Sequence, residues 1–294
     1  MGIYTHDTAY QDYFTHHLSK VDFRRLSELI QSQAGIKMPL SKMNMVESRL
    51  RKRLRSLQIQ SFTDYCEYLF SPQGMEHELT YFINVITTNK TDFFREPNHF
   101  DFLVRKAVPD LIRTWEAGIK KKLTVWSAAC SKGNEAYTIA MVLSDFAARY
   151  QGLAFDFIIL ATDISTDVLE DARCGIYHRQ DIEPVPPDLR KKYFLKSKDR
   201  NKGLVRIVPE LRDKVKYRRL NLMDEDFRFR EPLDIIFCRN VIIYFNKETQ
   251  DGLILRLCRY LRPEGYLFMG HSEVLHCQGL PLRSVAPAVY QKIG

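Results

Sequence analysis

The stretch that most restricts the fold is Leu123–Tyr137, LTVWSAACSKGNEAY. Leu123, Thr124, Val125 and Trp126 form a short apolar, β-rich run of the kind a buried strand needs. Small residues follow at Ser127, Ala128, Ala129 and Ser131, then Gly133. From Glu135 onward Ile139, Ala140 and Leu143 take helical spacing. A strand, a tight small-residue turn and a helix make the first βα unit of a nucleotide-binding α/β sheet. Small side chains there let a ligand approach the backbone, and the helix N-terminus favours acceptor groups. The full G-x-G-x-x-G of dinucleotide sites is missing, so a plain βα packing turn is the competing reading.

A chain of 294 residues has room for one large domain, or for a small one joined to a larger one. Its composition, 45% hydrophobic and 27% charged, is that of an ordinary soluble globular protein. No apolar run reaches transmembrane length, and the opening residues MGIYTHDTAYQDYF lack the basic-then-apolar form of a signal peptide. His6 also stands where a myristoylation signal needs Ser or Thr. A cytoplasmic location is expected. The cysteines (Cys66, Cys130, Cys174, Cys238, Cys258, Cys277) are scattered without a C-x-x-C, which argues against metal and disulfide sites. A net charge of +8 points to an acidic partner without naming it.

The first 86 residues read as an all-helical domain. Phe23, Leu26, Leu29 and Ile30 keep helical spacing up to Gly35, a plausible C-cap. Pro39 and Ser41 announce a second helix, along which Met43, Val46, Leu50, Leu54 and Leu57 make one apolar face. Lys42, Arg49, Arg51, Lys52, Arg53 and Arg55 fill the remaining arc, opposed along that helix only by Glu47. Such a run is often no more than a solvated face, but neighbouring like charges repel, and a role in docking an acidic surface is the sharper reading. Substitution of Arg49, Lys52, Arg53 and Arg55 is expected to leave the fold intact. A third helix starts near Ser61, Pro72 and Gly74 break the pattern, and Leu79, Phe82, Ile83 and Ile86 build a fourth.

Residues 87–100, TTNKTDFFREPNHF, link this domain to the larger one at 101–294. Phe93, Phe94 and Arg95 together exceed what a spacer requires. A hydrophobic plug between domains would explain the phenylalanines but not Arg95. In the larger domain Phe155–Leu160 is a second buried strand leading into Asp163, where such folds hold ribose hydroxyls. Tyr217–Asp224 ends a third strand at Asn221. The run LDIIFCRNVIIYF places Arg239 and Asn240 at a strand's C-terminal mouth, since a charge buried in mid-strand would be costly. Later come a helix over Lys247–Leu261, a strand over Tyr266–Met269 and a last strand over Ala288–Ile293. Between the second and third strands, about 175–216, short alternating runs around a polar turn suggest a small antiparallel lobe; an ordinary long crossover is the alternative.

Taken in order, NKTDFFREPNHF, AACSKGNEAYT, ATDIS, Ala172–Tyr177, CRNVIIYF and LRPEGYLFMGHSEVL resemble the CheR family of S-adenosylmethionine-dependent methyltransferases that act on bacterial chemoreceptors. The resemblance covers nearly the whole chain. It implies an α/β fold: a helical N-terminal domain and a Rossmann-like seven-stranded methyltransferase domain with an inserted antiparallel β-subdomain. Carried over by position, it puts cofactor contacts at Asn89, Thr91, Arg95 and Glu135. It adds Asp163 at the ribose, Asn221 and Leu222 toward the adenine, and Arg239 and Asn240 toward the methionine. Arg95 and Tyr244 match the positions beside the transferred methyl, and the basic helix matches a receptor-docking element. The loop departs from the family pattern A-G-C-S-T-G-E-E-P-Y at Ala129, Lys132, Asn134 and Ala136, and keeps Gly133, Glu135 and Tyr137.

The implied reaction moves a methyl group from S-adenosylmethionine to glutamate side chains of methyl-accepting receptors, leaving S-adenosylhomocysteine. No metal is expected. A monomer is expected, with an acidic helical bundle as partner and neither nucleic acid nor membrane insertion. An ionised carboxylate needs no general base, in keeping with a sequence in which no Ser-His-Asp or Cys-His constellation stands out. His271 is read as structural. Two competitors are a nucleic-acid methyltransferase and a non-catalytic cofactor-binding scaffold. The first wants an Asn-Pro-Pro-Tyr-like motif where this chain has Cys238-Arg239-Asn240-Val241. Whether the inserted subdomain captures a receptor tail stays open.

Overall fold

A computed structural model describes residues 17–150, 152 and 154–294. The signal-peptide and myristoylation readings fall on the first sixteen residues, outside that range. The chain divides between Thr88 and Asn89 into two compact units.

The first unit is helical: α1 (Lys20–Ala34), α2 (Met43–Leu57), α3 (Phe62–Phe70), α4 (Pro72–His77) and α5 (Leu79–Ile86). Ser19 caps α1 by accepting the Asp22 N–H at 3.0 Å, and Gly35 ends it with φ 71°. Ser61 caps α3 in the same way. Pro72 does not break a helix but begins α4, because proline at the first helical position gives up only an N–H that would lack an intrahelical partner anyway. On α2 Val46, Leu50 and Leu54 are buried, as the spacing predicts.

The opposite arc of α2 is not a uniform solvated face. Arg53 grips the carboxylate of Glu78, between α4 and α5, through Nε at 2.8 Å and Nη2 at 2.5 Å, and lies over the Tyr81 ring. Glu78 is 1% exposed and also accepts the Tyr65 hydroxyl at 3.1 Å. Arg49 donates to the carbonyls of Ile86 and Thr87 at 2.7 and 2.9 Å, satisfying the end of α5. The expectation that these two arginines can be changed without structural cost is therefore corrected. Sequence periodicity along one helix could not show that Glu78 lies opposite. Lys52 and Arg55 are exposed.

The second unit opens with α6 (Asn98–Phe102), which runs through a π-type turn, Leu103–Ala107, into α7 (Val108–Trp115). Then follow β1 (Leu123–Ala128), α8 (Asn134–Arg149), β2 (Phe157–Asp163), α9 (Thr166–Cys174), β3 (Ile176–His178), α10 (Pro187–Tyr193), β4 (Phe194–Lys196), β5 (Leu204–Ile207), α11 (Pro209–Asp213) and β6 (Val215–Arg219). The chain closes with β7 (Leu233–Cys238), α12 (Lys247–Tyr260), β8 (Leu261–Met269), β9 (Leu282–Ala286) and β10 (Val289–Lys292). Seven strands form one sheet in the order β6-β2-β1-β7-β8-β10-β9. Five are parallel, and β10 runs antiparallel between β8 and β9. Strands β3, β5 and β4 make the separate antiparallel lobe.

Strand β9 was not among the sequence expectations. Its three central residues are all exposed, so it shows neither an apolar run nor alternation. Strands β1 and β7 are almost wholly buried, as strands covered on both faces must be. The order reverses between β1 and β7, and in open α/β sheets ligands bind at the carboxyl ends of strands flanking that reversal.

Candidate active site

Two clusters gather at this mouth. The first is built on the β1–α8 turn, where Ala129, Ser131 and Gly133 take φ of 56°, 50° and 84°. A Cβ on Gly133 would stand 2.7 Å from the Tyr217 hydroxyl and 3.0 Å from the Ala172 Cβ, so glycine is required there. Ala129 holds a left-handed conformation at the position where the family pattern has glycine, at a cost of about 1–3 kcal/mol that the surroundings must offset. The Cys130 N–H donates to the Thr162 carbonyl, the Ser131 N–H to Asp163 Oδ2 and the Ser131 hydroxyl to the Asn89 carbonyl, each at 2.9 Å. Asp163 Oδ1 accepts the Ser165 N–H at 2.9 Å. Burial pushes the Asp163 carboxyl up from its ordinary value against the pull of these donors. A carboxylate has about four acceptor positions, so Asp163 can brace the loop and still take ligand hydroxyls.

The segment after β6 joins this cluster through the Leu220 N–H, which donates to the Asp163 carbonyl at 3.0 Å. Asn221 Oδ1 accepts the Met223 N–H, and the Leu222 carbonyl accepts from Arg256.

The second cluster centres on Arg239, whose side chain is 2% exposed. Nη1 donates to Glu135 Oε2 at 3.0 Å; Nη2 donates to Glu96 Oε2 at 2.9 Å and to the Arg95 carbonyl at 2.5 Å. Glu135 also accepts the Ser127 hydroxyl at 2.7 Å. Glu96, at φ 58°, accepts from Asn240 Nδ2 and from the His271 N–H, both at 3.3 Å. The guanidinium holds the Glu96 carboxyl below its ordinary value despite burial. One guanidinium is thus shared between two carboxylates and a backbone carbonyl.

Asn240, at φ 58°, is fixed by its own N–H on Glu273 Oε2 at 2.7 Å. Glu273 is 3% exposed and accepts three further backbone N–H groups, from Gly270, Ile242 and Ile243. A Cβ on Gly270 would come within 2.5 Å of Asn240 Nδ2, so that crossing also needs glycine. Glu273 therefore organises the whole turn after β7. Sequence reasoning missed both Glu96 and Glu273 as site residues. Each stood inside a quoted motif (FFREP, GHSEVL), but its partners lie far away in sequence.

The structure thus joins Arg95, Glu135, Arg239 and Asn240 in one cluster, and Asn89, Asp163 and the Asn221 segment in the other. Thr91 and Arg95 are half-buried in the linker, where Arg95 Nη1 donates to the Lys90 carbonyl at 3.5 Å. Tyr244, 36% exposed, ends the turn that Glu273 holds; no hydrogen bond joins its hydroxyl to Arg95 among the described residues. Phe93, buried at 1%, packs edge-on against Tyr177 and Phe194 of the inserted lobe, which accounts for it inside the second unit. Among the described residues Glu96, His99 and His271 form one group with metal-ligand chemistry. Glu96 Oε2 already faces the Arg239 guanidinium, so a cation there would meet a like charge. No helix among the described residues is long and apolar enough to cross a membrane.

This mouth suits S-adenosylmethionine. Asp163 offers acceptors for ribose hydroxyls, and the Glu135 and Glu96 carboxylates and the Arg239 guanidinium offer both signs of charge to a zwitterionic amino-acid end. Comparison with known proteins agrees. Residues 89–286 match the model for the CheR methyltransferase SAM binding domain, and residues 21–87 match that for the CheR methyltransferase all-alpha domain. The chain is 41% identical over 275 residues to chemotaxis protein methyltransferase 2 of Pseudomonas aeruginosa, covering 93% of this chain and 94% of that one. It is 42% identical over 258 residues to the chemotaxis protein methyltransferase of Escherichia coli, covering 87% and 85%. To that of Borreliella burgdorferi it is 38% identical over 275 residues, covering 94% and 95%.

Proposed function

The chain belongs to the CheR methyltransferase family, and from that premise we propose that it esterifies glutamate side chains on the acidic cytoplasmic helices of chemoreceptors. That it is an S-adenosylmethionine-dependent methyltransferase of chemotaxis follows from the family; the acceptor and the residue roles are our reading. One observation carries it. Arg239 joins Glu135, assigned to the cofactor, to Arg95, assigned to both cofactor and acceptor, and to its neighbour Glu96.

Bound, S-adenosylmethionine supplies a methyl group on a sulfonium sulfur. An acceptor carboxylate is ionised at neutral pH, so its oxygen can form the new C–O bond without giving up a proton. The C–S pair returns to sulfur, and a cation and an anion become two neutral groups. The residues' task is alignment, a contribution that reaches roughly 7–11 kcal/mol in favourable cases. Arg95 would hold the acceptor carboxylate by its planar fork. Its backbone is fixed through Arg239, which leaves the guanidinium at the end of a positioned chain. Tyr244 would direct its hydroxyl at the reacting groups. Glu135, Asn240, Asp163, Asn89 and Thr91 would hold the cofactor, with Asn221 and Leu222 beside its base.

Receptor docking would use the exposed Lys52 and Arg55 of α2, with Arg49 and Arg53 shaping the helix that presents them. The acceptor assignment is tested on receptors whose candidate glutamates are replaced by alanine. Loss of methylation at those positions alone supports it, whereas undiminished labelling places the acceptor elsewhere.

A further inference from the structure

The inserted lobe is bound into the cofactor site more closely than a docking appendage requires. Tyr177 lies on β3, is 6% exposed, and aims its hydroxyl at the β1–α8 turn, donating to the Lys132 carbonyl at 2.6 Å. Lys132 sits between Ser131 and Gly133, two of the three left-handed residues of that turn. The other side of the Tyr177 ring system meets the linker: Phe93 lies edge-on at 4.9 Å, and Phe194, at the start of β4, reaches the same phenylalanine at 5.6 Å. One residue later the linker is pinned from another direction, where the Phe94 N–H, at φ 54°, donates to Thr138 Oγ1 on α8. Burial keeps the Tyr177 phenol protonated and hence a donor.

We propose that Tyr177 is a positioning residue for the cofactor, joining the β1–α8 loop to the linker from the inserted lobe. The loop needs such a brace. Left-handed residues without glycine's freedom hold their conformation only where surrounding contacts over-determine it. A lobe that only displayed a docking edge would need buried contacts, but not a hydroxyl directed at a backbone carbonyl in the middle of that loop. The brace binds a carbonyl, so it works equally with lysine at 132, where the family pattern has threonine. The segment Ala172–Tyr177 thereby gains a physical reason: Ala172 packs beside Gly133, and its carbonyl accepts the Tyr137 hydroxyl at 2.7 Å. Tyr177 follows directly.

The proposal rests on the assignment of loop and linker to the cofactor, so the test carries a control for that assignment. S-adenosylhomocysteine is titrated by calorimetry into the full-length wild type, Tyr177→Phe and Asn240→Ala. Thermal unfolding and amide exchange of the loop peptide spanning 129–134 are measured alongside. Tyr177→Phe keeps the ring and loses one hydrogen bond, so affinity should weaken about fivefold, with faster loop exchange at temperatures far below unfolding. A merely structural tyrosine would lower the melting temperature and leave affinity and loop exchange at 25 °C unchanged; that result overturns the proposal. If Asn240→Ala weakens binding while Tyr177→Phe does not, the brace alone fails. If neither weakens it, the site assignment falls and the proposal with it.

Discussion

Arg53 and Arg239 are both arginines held against carboxylates, buried for Arg53 and half-buried for Arg239, one in each unit, yet their surroundings differ. Arg53 meets a single carboxylate, Glu78, in a matched fork, and a tyrosine hydroxyl completes the set. Charge is balanced and nothing is left to receive a ligand. Arg239 meets two carboxylates and a backbone carbonyl from segments 104 and 143 residues away, at the mouth of a sheet. A balanced pair locks a fold. A guanidinium shared between distant segments at a topological switch point instead holds a ligand-binding mouth together.

The largest expected effect comes from Arg239→Ala. It strands Glu96 and Glu135 together and frees the Arg95 carbonyl. Removing one partner of a buried pair costs about 3–5 kcal/mol, and methyl transfer should fall by about 10²-fold or more as alignment is lost. Denaturant unfolding together with single-turnover rates reads both. Next, Arg53→Ala should destabilise the helical unit by about 3 kcal/mol, at the low end of the same range because its side chain is 20% exposed. Affinity for S-adenosylhomocysteine should not move; if it does, the two arginines are not separate in function.

Tyr244→Phe sharpens the comparison from the chemical side. Cofactor affinity should stay constant while transfer slows by about 10²-fold, the weight of a lost donor aimed at reacting groups. Full single-turnover activity would remove this hydroxyl from the mechanism. Acid tests the Arg239 cluster differently. His99, 2% exposed and facing Arg239, Glu96 and His271, is pushed down from 6.5 to about 4, mainly by burial. Between those values the unfolded chain binds a proton that the folded chain refuses, so stability falls as pH drops from 6.5 to about 4. Urea midpoints across that window should show it, and His99→Gln should flatten the slope. The smallest effect is predicted for Lys52→Ala with Arg55→Ala: unchanged cofactor affinity, a lower receptor methylation rate and a shallower salt dependence. An identical rate and slope would leave α2 as a solvated face.

How far the sequence could be read follows from the range of each interaction. The strand–turn–helix around Gly133, the carboxylate ending β2 and the Arg239–Asn240 pair at a strand mouth are local patterns, and they stood out. Glu78 beneath Arg53, Glu96 beside Arg239 and Glu273 under Asn240 depend on segments meeting in space, and no periodicity encodes that. The sequence suggests a ligand group at Asp163, and what the structure shows is its carboxylate bracing the Ser131 turn. Strand β9 was silent because its exposed centre lacks a strand pattern, and α4 was hidden by its initiating proline.

The most direct test gives the purified protein radiolabelled S-adenosylmethionine and receptor-bearing membranes, then treats the labelled receptor with mild alkali. A glutamate methyl ester releases its label as volatile methanol, and wild type should yield that product while Arg239→Ala yields almost none. Label that survives alkali, or equal release from both proteins, would contradict the account.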